Sequence, residues 1–129
     1  MRFVPRRPEL LALEGQFEGF YFSCRHRDIL RCSDTRHFSS CYGPKGCYKD
    51  MPSKICADPN FAMIFERDKS GQFLWRAFVL HMQVQLISGG TSDVFAIGRF
   101  YGNGYEHKKH YIKSRIPDSV LTDRDFTVM

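Results

Sequence analysis

Long hydrophobic runs are missing from this chain. None approaches the about 18 apolar residues that a membrane span requires, and no apolar stretch follows the basic first seven residues in the manner of an export signal. The expectation is a soluble, cytoplasmic protein with no membrane partner. Internal repeats and low-complexity tracts are also missing. With 43% hydrophobic and 26% charged residues, the composition excludes a collagen or a disordered tail. At 129 residues the chain has room for one core, so a single domain spanning 1–129 is expected. Twelve Phe and six Tyr supply large rings to fill that core, each removing roughly 150 to 250 Å² from water.

Cysteine is present in odd number. All five, Cys24, Cys32, Cys41, Cys47 and Cys56, fall between residues 24 and 56, and in a chain without an export signal reduced thiols are expected. The net charge of +5 favours acidic partners, nucleic acid among them. Charge is most polarised near the end of the chain. Residues 99–115 hold five Lys or Arg with His107 and His110 against Glu106, whereas residues 117–129 hold three Asp against Arg124, an acidic tail placed to mask the basic segment.

Local pattern gives an α+β reading, mostly antiparallel. Residues 1–14 read as an arm with a short apolar turn after Pro8. Residues 15–23 are aromatic enough for a strand, and 27–32 suit a single helical turn. Residues 33–58 are rich in Ser, Asp, Gly, Pro, Cys and Lys without periodicity, a long loop of the kind that serves a function. Strands are expected at 61–66 and 72–83 around the turn residues Asp68, Lys69, Ser70 and Gly71, and a third at 94–101 after Gly89 and Gly90. Consecutive strands then pair as a meander. Residues 105–116 suit a short amphipathic helix stopped by Pro117.

The densest polar cluster is Ser23, Cys24, Arg25, His26, Arg27 and Asp28, then Ser33, Asp34 and Thr35, then Ser40 and Cys41, and its candidate catalytic set is Arg25, His26, Asp28, Asp34 and Cys41. These types provide a nucleophilic thiol, a base, a carboxylate to orient it and an arginine for an anion. The same Asp residues equally suit helix caps and the arginines a solvated surface. A zinc site has enough eligible ligands in Cys24, His26, Cys32, His37, Cys41, Cys47 and Cys56. Their spacing lacks the close pairs of zinc modules, so no metal is assigned and a zinc-stabilised nucleic-acid module stands as an alternative.

The run Arg99, Phe100, Tyr101, Gly102, Asn103, Gly104 leaves a strand and enters a helix, where glycines let backbone amides close on a phosphate. Its spacing resembles the pyrophosphate loop of GNAT-type N-acetyltransferases. The resemblance implies acetyl-CoA as cofactor, held by Arg99, Gly102 and Gly104 on a truncated GNAT-like core. The bland reading is an Asn-Gly turn that ends a strand. A wider order of motifs also carries a resemblance. It runs Ser23-Cys24-Arg25-His26-Arg27-Asp28-Ile29-Leu30, then Ser33-Asp34-Thr35, Ser40-Cys41, Arg76-Ala77-Phe78-Val79 and Arg99-Phe100-Tyr101-Gly102. It is similar to that of uncharacterised accessory proteins of tailed phages and mobile elements. This implies a small cytoplasmic accessory protein of a phage or related element. Small size, modest positive charge and the lack of a decisive catalytic constellation add the expectation that it binds a host protein, such as a nucleic-acid-associated defence factor. Lys108, Lys109, Lys113 and Arg115 form the expected partner face.

Overall fold

The computed structural model describes residues 4–126. The arm's residues 1–3 and the tail's residues 127–129 lie outside it. Its centre is a mostly antiparallel sheet in the order β1-β2-β3-β4-β5-β7, with β6 added beside β4. The strands are β1 (Gly15–Phe17), β2 (Phe20–Ser23), β3 (Phe61–Arg67), β4 (Phe73–Gln85), β5 (Thr91–Ile97), β6 (Tyr101–Gly102) and β7 (Ser119–Leu121). Four short helices complete the α+β domain: α1 (Pro8–Leu11), α2 (His26–Leu30), α3 (Met51–Cys56) and α4 (Lys109–Arg115), the last preceded by a 3-10 turn over Tyr105–Lys108.

The β3–β4–β5 meander forms as the pattern predicts. Asp68 makes the first turn through its own side chain, whose Oδ1 accepts from the amides of Ser70 and Gln72 at 2.8 and 3.0 Å. Gly71 supplies the positive φ of +91° that closes the turn. Successive residues of β3 alternate between the two faces of the sheet. Ala62 and Ile64 join Phe22, Trp75, Ala77 and Val79 on one face, under Leu10 of α1 and Ile112 of α4. Phe61, Met63 and Phe65 join Phe73 and Phe78 on the other, under Ile29 of α2 and Met51, Ile55 and Cys56 of α3. The sheet is therefore buried on both sides, which is why β3 reads as an unbroken apolar run.

Four expectations change. The strand at 15–23 is a hairpin, because Gly19 turns with φ +85° in a spot where a Cβ would lie 2.7 Å from the Tyr111 ring. The loop at 33–58 contains α3, started by Pro52 in its first turn and held by its buried Met51 and Ile55. The third strand begins at Thr91 and ends at Ile97, and the chain rejoins β4 separately at Tyr101 and Gly102. The acidic tail holds β7, which runs parallel to β5 with Ala96 opposite Val120.

The N-terminal arm is docked. Leu10 is fully buried, a placement that stabilises by about 2 to 3 kcal/mol. The buried Arg6 guanidinium donates to the carbonyls of Val4, Ile55, Cys56, Asp58 and Phe61 at 2.5 to 3.2 Å, so it serves carbonyls at the C-terminal end of α3.

Candidate anion-binding cleft

The chain turns from β2 into α2 at Ser23. The Ser23 hydroxyl donates to Asp28 Oδ2 at 2.5 Å and accepts from the Arg25 amide at 3.1 Å, which fixes the first turn of the helix. Asp28 is buried, and its Oδ1 accepts from Arg67 Nη2 at 2.6 Å. Arg67 is aimed there by a register shift between Glu66 and Arg67, an irregularity that redirects a side chain at a strand end. Its guanidinium also lies over the rings of Phe65 and Phe73, 4.7 and 5.1 Å from their centres, and Tyr21 stacks on Phe65. Arg67 is thus held by a carboxylate and two aromatic faces while staying 37% exposed.

Around Arg67 opens a polar cleft of about 440 Å³ lined by Arg25, Arg27, Asp28, Arg31, Asp34, Arg67 and the turn residues Ser70, Gly71, Gln72 and Phe73. A more open hollow of about 530 Å³ continues it past Arg25, Arg27 and Arg31 to His26 and Leu30. A third of about 270 Å³ continues past Arg25, Asp28 and Arg67 to Tyr21 and Gln16. Arg27 and Arg31 are four residues apart, the spacing that puts side chains on one helical face. None of the described ion pairs involves Arg25, Arg27 or Arg31, whereas Asp28 is already taken by Arg67. Four guanidinium groups thus meet two carboxylates, and the balance favours an anion.

Of the residues singled out from the sequence, Arg25, Asp28 and Asp34 share this cleft and His26 borders it. His26 Nε2 lies 2.8 Å from Val4 O and 3.2 Å from Arg6 Nη2. Cys41 is elsewhere. Its exposed thiol is hydrogen-bonded to that of Cys47, which raises its pKa, and its charged neighbours are Asp125 and Arg99. A nucleophilic thiol needs the opposite shift. Burial pushes Cys24 up to about 12 and Cys56 up to about 11, and raises Cys32 as well. Among the described residues, no three of the seven thiols and imidazoles considered for zinc bring ligand atoms within 4.8 Å of one another.

Arg99 lines a separate cavity with Phe100, Tyr105, Lys109 and Asp123. Gly102 lies against β4, where a Cβ would stand 2.2 Å from the Leu74 carbonyl oxygen, so this glycine permits strand contact. The amide of Arg99 donates to Arg124 O at 2.9 Å and that of Asn103 to Leu74 O at 3.0 Å, while Gly104 faces open space. On the expected partner face, Lys108 pairs with Glu66 at 3.6 Å, Lys113 donates to Ser119 O, and Arg115 covers the Phe17 ring at 4.2 Å. Lys109 lies near the Phe100 and Tyr105 rings.

Arg27, read from the sequence only as a solvated member of the polar cluster, and Arg31 and Arg67, which lay outside that cluster, complete the cleft. The four-residue spacing of the first two was a readable signal; the pairing of Arg67 with Asp28, 39 positions away, was not. Arg76 is also unexpected in its placement. It is fully buried beneath the 33–50 segment, donating to Cys32 O at 3.1 Å and to Ser33 and Ser40 Oγ at 3.2 and 2.9 Å. Its guanidinium lies among the rings of Tyr101, Phe78, Tyr42 and Phe38, at 4.5 to 5.9 Å.

Among the described residues no helix is long and apolar enough to cross a membrane. No protein-family model matches the chain, and no curated protein matches it. Among solved structures it is similar to two mutant forms of the BH1408 protein of Bacillus halodurans, a point mutant and a tetramutant, each 13% identical, with TM-scores of 0.39 and 0.38. Both likenesses cover 58% of this chain, and they span only 58% and 56% of those chains.

Proposed function

We propose that the protein is a binding module whose arginine cleft takes a phosphate-bearing partner, with single-stranded nucleic acid as the fitting chemistry. The observation that carries this reading is the set of Arg25, Arg27 and Arg31, without carboxylate partners among the described ion pairs, around a fourth arginine fixed by Asp28. Arginine forks match phosphate oxygens in pairs, and a charged groove that tracks a backbone binds strands with little regard to sequence. The adjoining hollows share Arg25 and extend the groove beyond one phosphate. A role as an accessory protein of a phage or mobile element, acting on a nucleic-acid-associated host factor, is compatible with such a module, and its support is the order of sequence motifs.

The test is fluorescence anisotropy with a labelled single-stranded oligonucleotide of about sixteen nucleotides, the upper site size for one small binding fold. Binding is expected to weaken by at least ten-fold between about 50 and 200 mM salt. It is also expected to disappear in an Arg27→Glu/Arg31→Glu variant. An unchanged affinity in that variant, or no binding at low salt, overturns the reading. Loss in Lys109→Glu/Lys113→Glu instead moves the partner face to α4.

A further inference from the structure

One inward-facing carboxylate lies apart from the arginine cleft. The Oε2 atom of Glu9, on α1, is shut off from solvent and accepts no hydrogen bond among the described residues. A buried acceptor without a donor carries its desolvation penalty uncompensated. Two further groups stand against it. His81 of β4, with a side chain only 4% exposed, and Asp93 of β5, 45% exposed, approach at 2.8 Å between Nε2 and Oδ1. One ligand atom from each of Glu9, His81 and Asp93 lies within 4.8 Å of the other two. No lysine or arginine forms an ion pair with either carboxylate among the described residues.

We propose that Glu9, His81 and Asp93 bind one divalent transition-metal ion of the zinc class. Donors bonded to a single tetrahedral ion at about 2.0 to 2.2 Å lie about 3.3 to 3.6 Å apart, so the set, within 4.8 Å at its widest, closes on an ion with side-chain shifts of up to about an ångström. A cation between Glu9 and Asp93 supplies the counter-charge that the buried Glu9 oxygen lacks, and at Asp93 it takes the place of the hydrogen bond from His81. One imidazole with two carboxylates suits zinc or manganese better than calcium or magnesium, which take oxygen alone. Glu9 and His81 close the inner side, and Asp93 stands at the solvent rim, which leaves the remaining coordination position to water. The ion ties α1 to the base of the β4–β5 ribbon, so metal binding and docking of the arm are one event.

The test is calorimetric titration of the full chain with Zn²⁺ in a Cys41→Ser/Cys47→Ser background, which removes the two exposed thiols as competing ligands. Titration with Mn²⁺, followed by its spin-resonance signal, repeats the measurement with an ion that thiols do not favour. One equivalent of zinc is expected to bind and to raise Tm. Glu9→Gln and Asp93→Asn are each expected to weaken binding by at least about ten-fold. The metal-free Glu9→Gln protein is expected to melt no lower than its parent, since an amide there removes a buried charge. Asp93→Asn, at a half-exposed position, keeps the test decisive if Glu9→Gln does not fold. No binding at about 1 mM zinc, the weak end of any specific site, overturns the proposal. So does an unchanged affinity in either folded variant.

Discussion

Trp75 and Arg76 are neighbours on β4, both fully buried, and they point into opposite faces of the same sheet. On the Trp75 side the core is apolar, and the one indole N–H finds Glu66 Oε1 at 2.8 Å. On the Arg76 side a cation is enclosed by a carbonyl, two hydroxyls and four aromatic rings, and among the described residues it has no carboxylate in an ion pair and its Nη1 has no acceptor. Burial opposes the charge there and lowers the Arg76 pKa. Both faces hold the fold together by apolar area, and the Arg76 face carries an enclosed cation in addition. The Arg76 face organises the irregular 33–50 segment, which has little apolar surface of its own, by fixing polar atoms.

The contrast breaks most readily at the two side chains themselves. Trp75→Ala is expected to lower unfolding free energy by about 3 to 5 kcal/mol in urea titrations, the loss typical of a large core ring. Arg76→Met fills similar volume, removes a desolvated charge and takes a donor from the Cys32 carbonyl, while the hydroxyls of Ser33 and Ser40 keep their bond to each other at 2.6 Å, so a loss of only about 1 to 2 kcal/mol is expected. Equal losses would show that both faces depend on area alone. The edge of β4 next to Trp75 gives a second comparison. Gly102→Ala drives a Cβ into the Leu74 carbonyl and is expected to cost about 2 to 4 kcal/mol. Gly104→Ala meets open space and costs about 1 kcal/mol for its positive φ. A phosphate-loop role predicts comparable folding and a shared loss of acetyl-CoA binding instead.

Smaller effects sharpen the Arg76 face. Only Cys41 and Cys47 are expected to react with a disulfide reagent in the native protein, and all five thiols after denaturation. Cys41 should label slowly at neutral pH, because its bond to Cys47 raises its pKa. Fast labelling at pH 7 would restore the nucleophile reading. The turn that carries the cleft wall responds to acid. Asp68 accepts from His37 at 2.8 Å and from Ser70 and Gln72, and these bonds hold its carboxyl well below the usual range. Its contribution is therefore complete above the unfolded carboxylate pKa of about 3.9 and fades as pH falls toward the lower folded value. Asp68→Asn should lower Tm at pH 7, with a gap from the parent that narrows only in strong acid. A gap that is constant down to about pH 2 would assign the effect to turn geometry.

Local signals made the meander and the 105–116 helix legible, because the turn residues from Asp68 to Gly71 and the apolar spacing of Tyr111 and Ile112 act within a few positions. What was not legible depends on distance along the chain. β7 is three residues long and gains its identity only from Phe95, Ala96 and Ile97. α3 is six residues long and exists because Ile55 and Cys56 find the sheet. Arg25, Asp28 and Asp34 were readable as a polar cluster, yet the group that unites them, Arg67, looked like any charged residue at a strand end. Arg76 did carry a sign. It is flanked by Leu74, Trp75, Ala77 and Phe78, an unlikely setting for a solvated cation.

Arg6 fastens the chain's beginning to its middle with a single side chain. Five carbonyl oxygens from three segments converge on one guanidinium, so a truncation that removes this position leaves a row of acceptors facing a dry interior. Trimming the N-terminus past this point is therefore equivalent to unlatching α2 and α3, and with them the wall that carries Arg27 and Arg31.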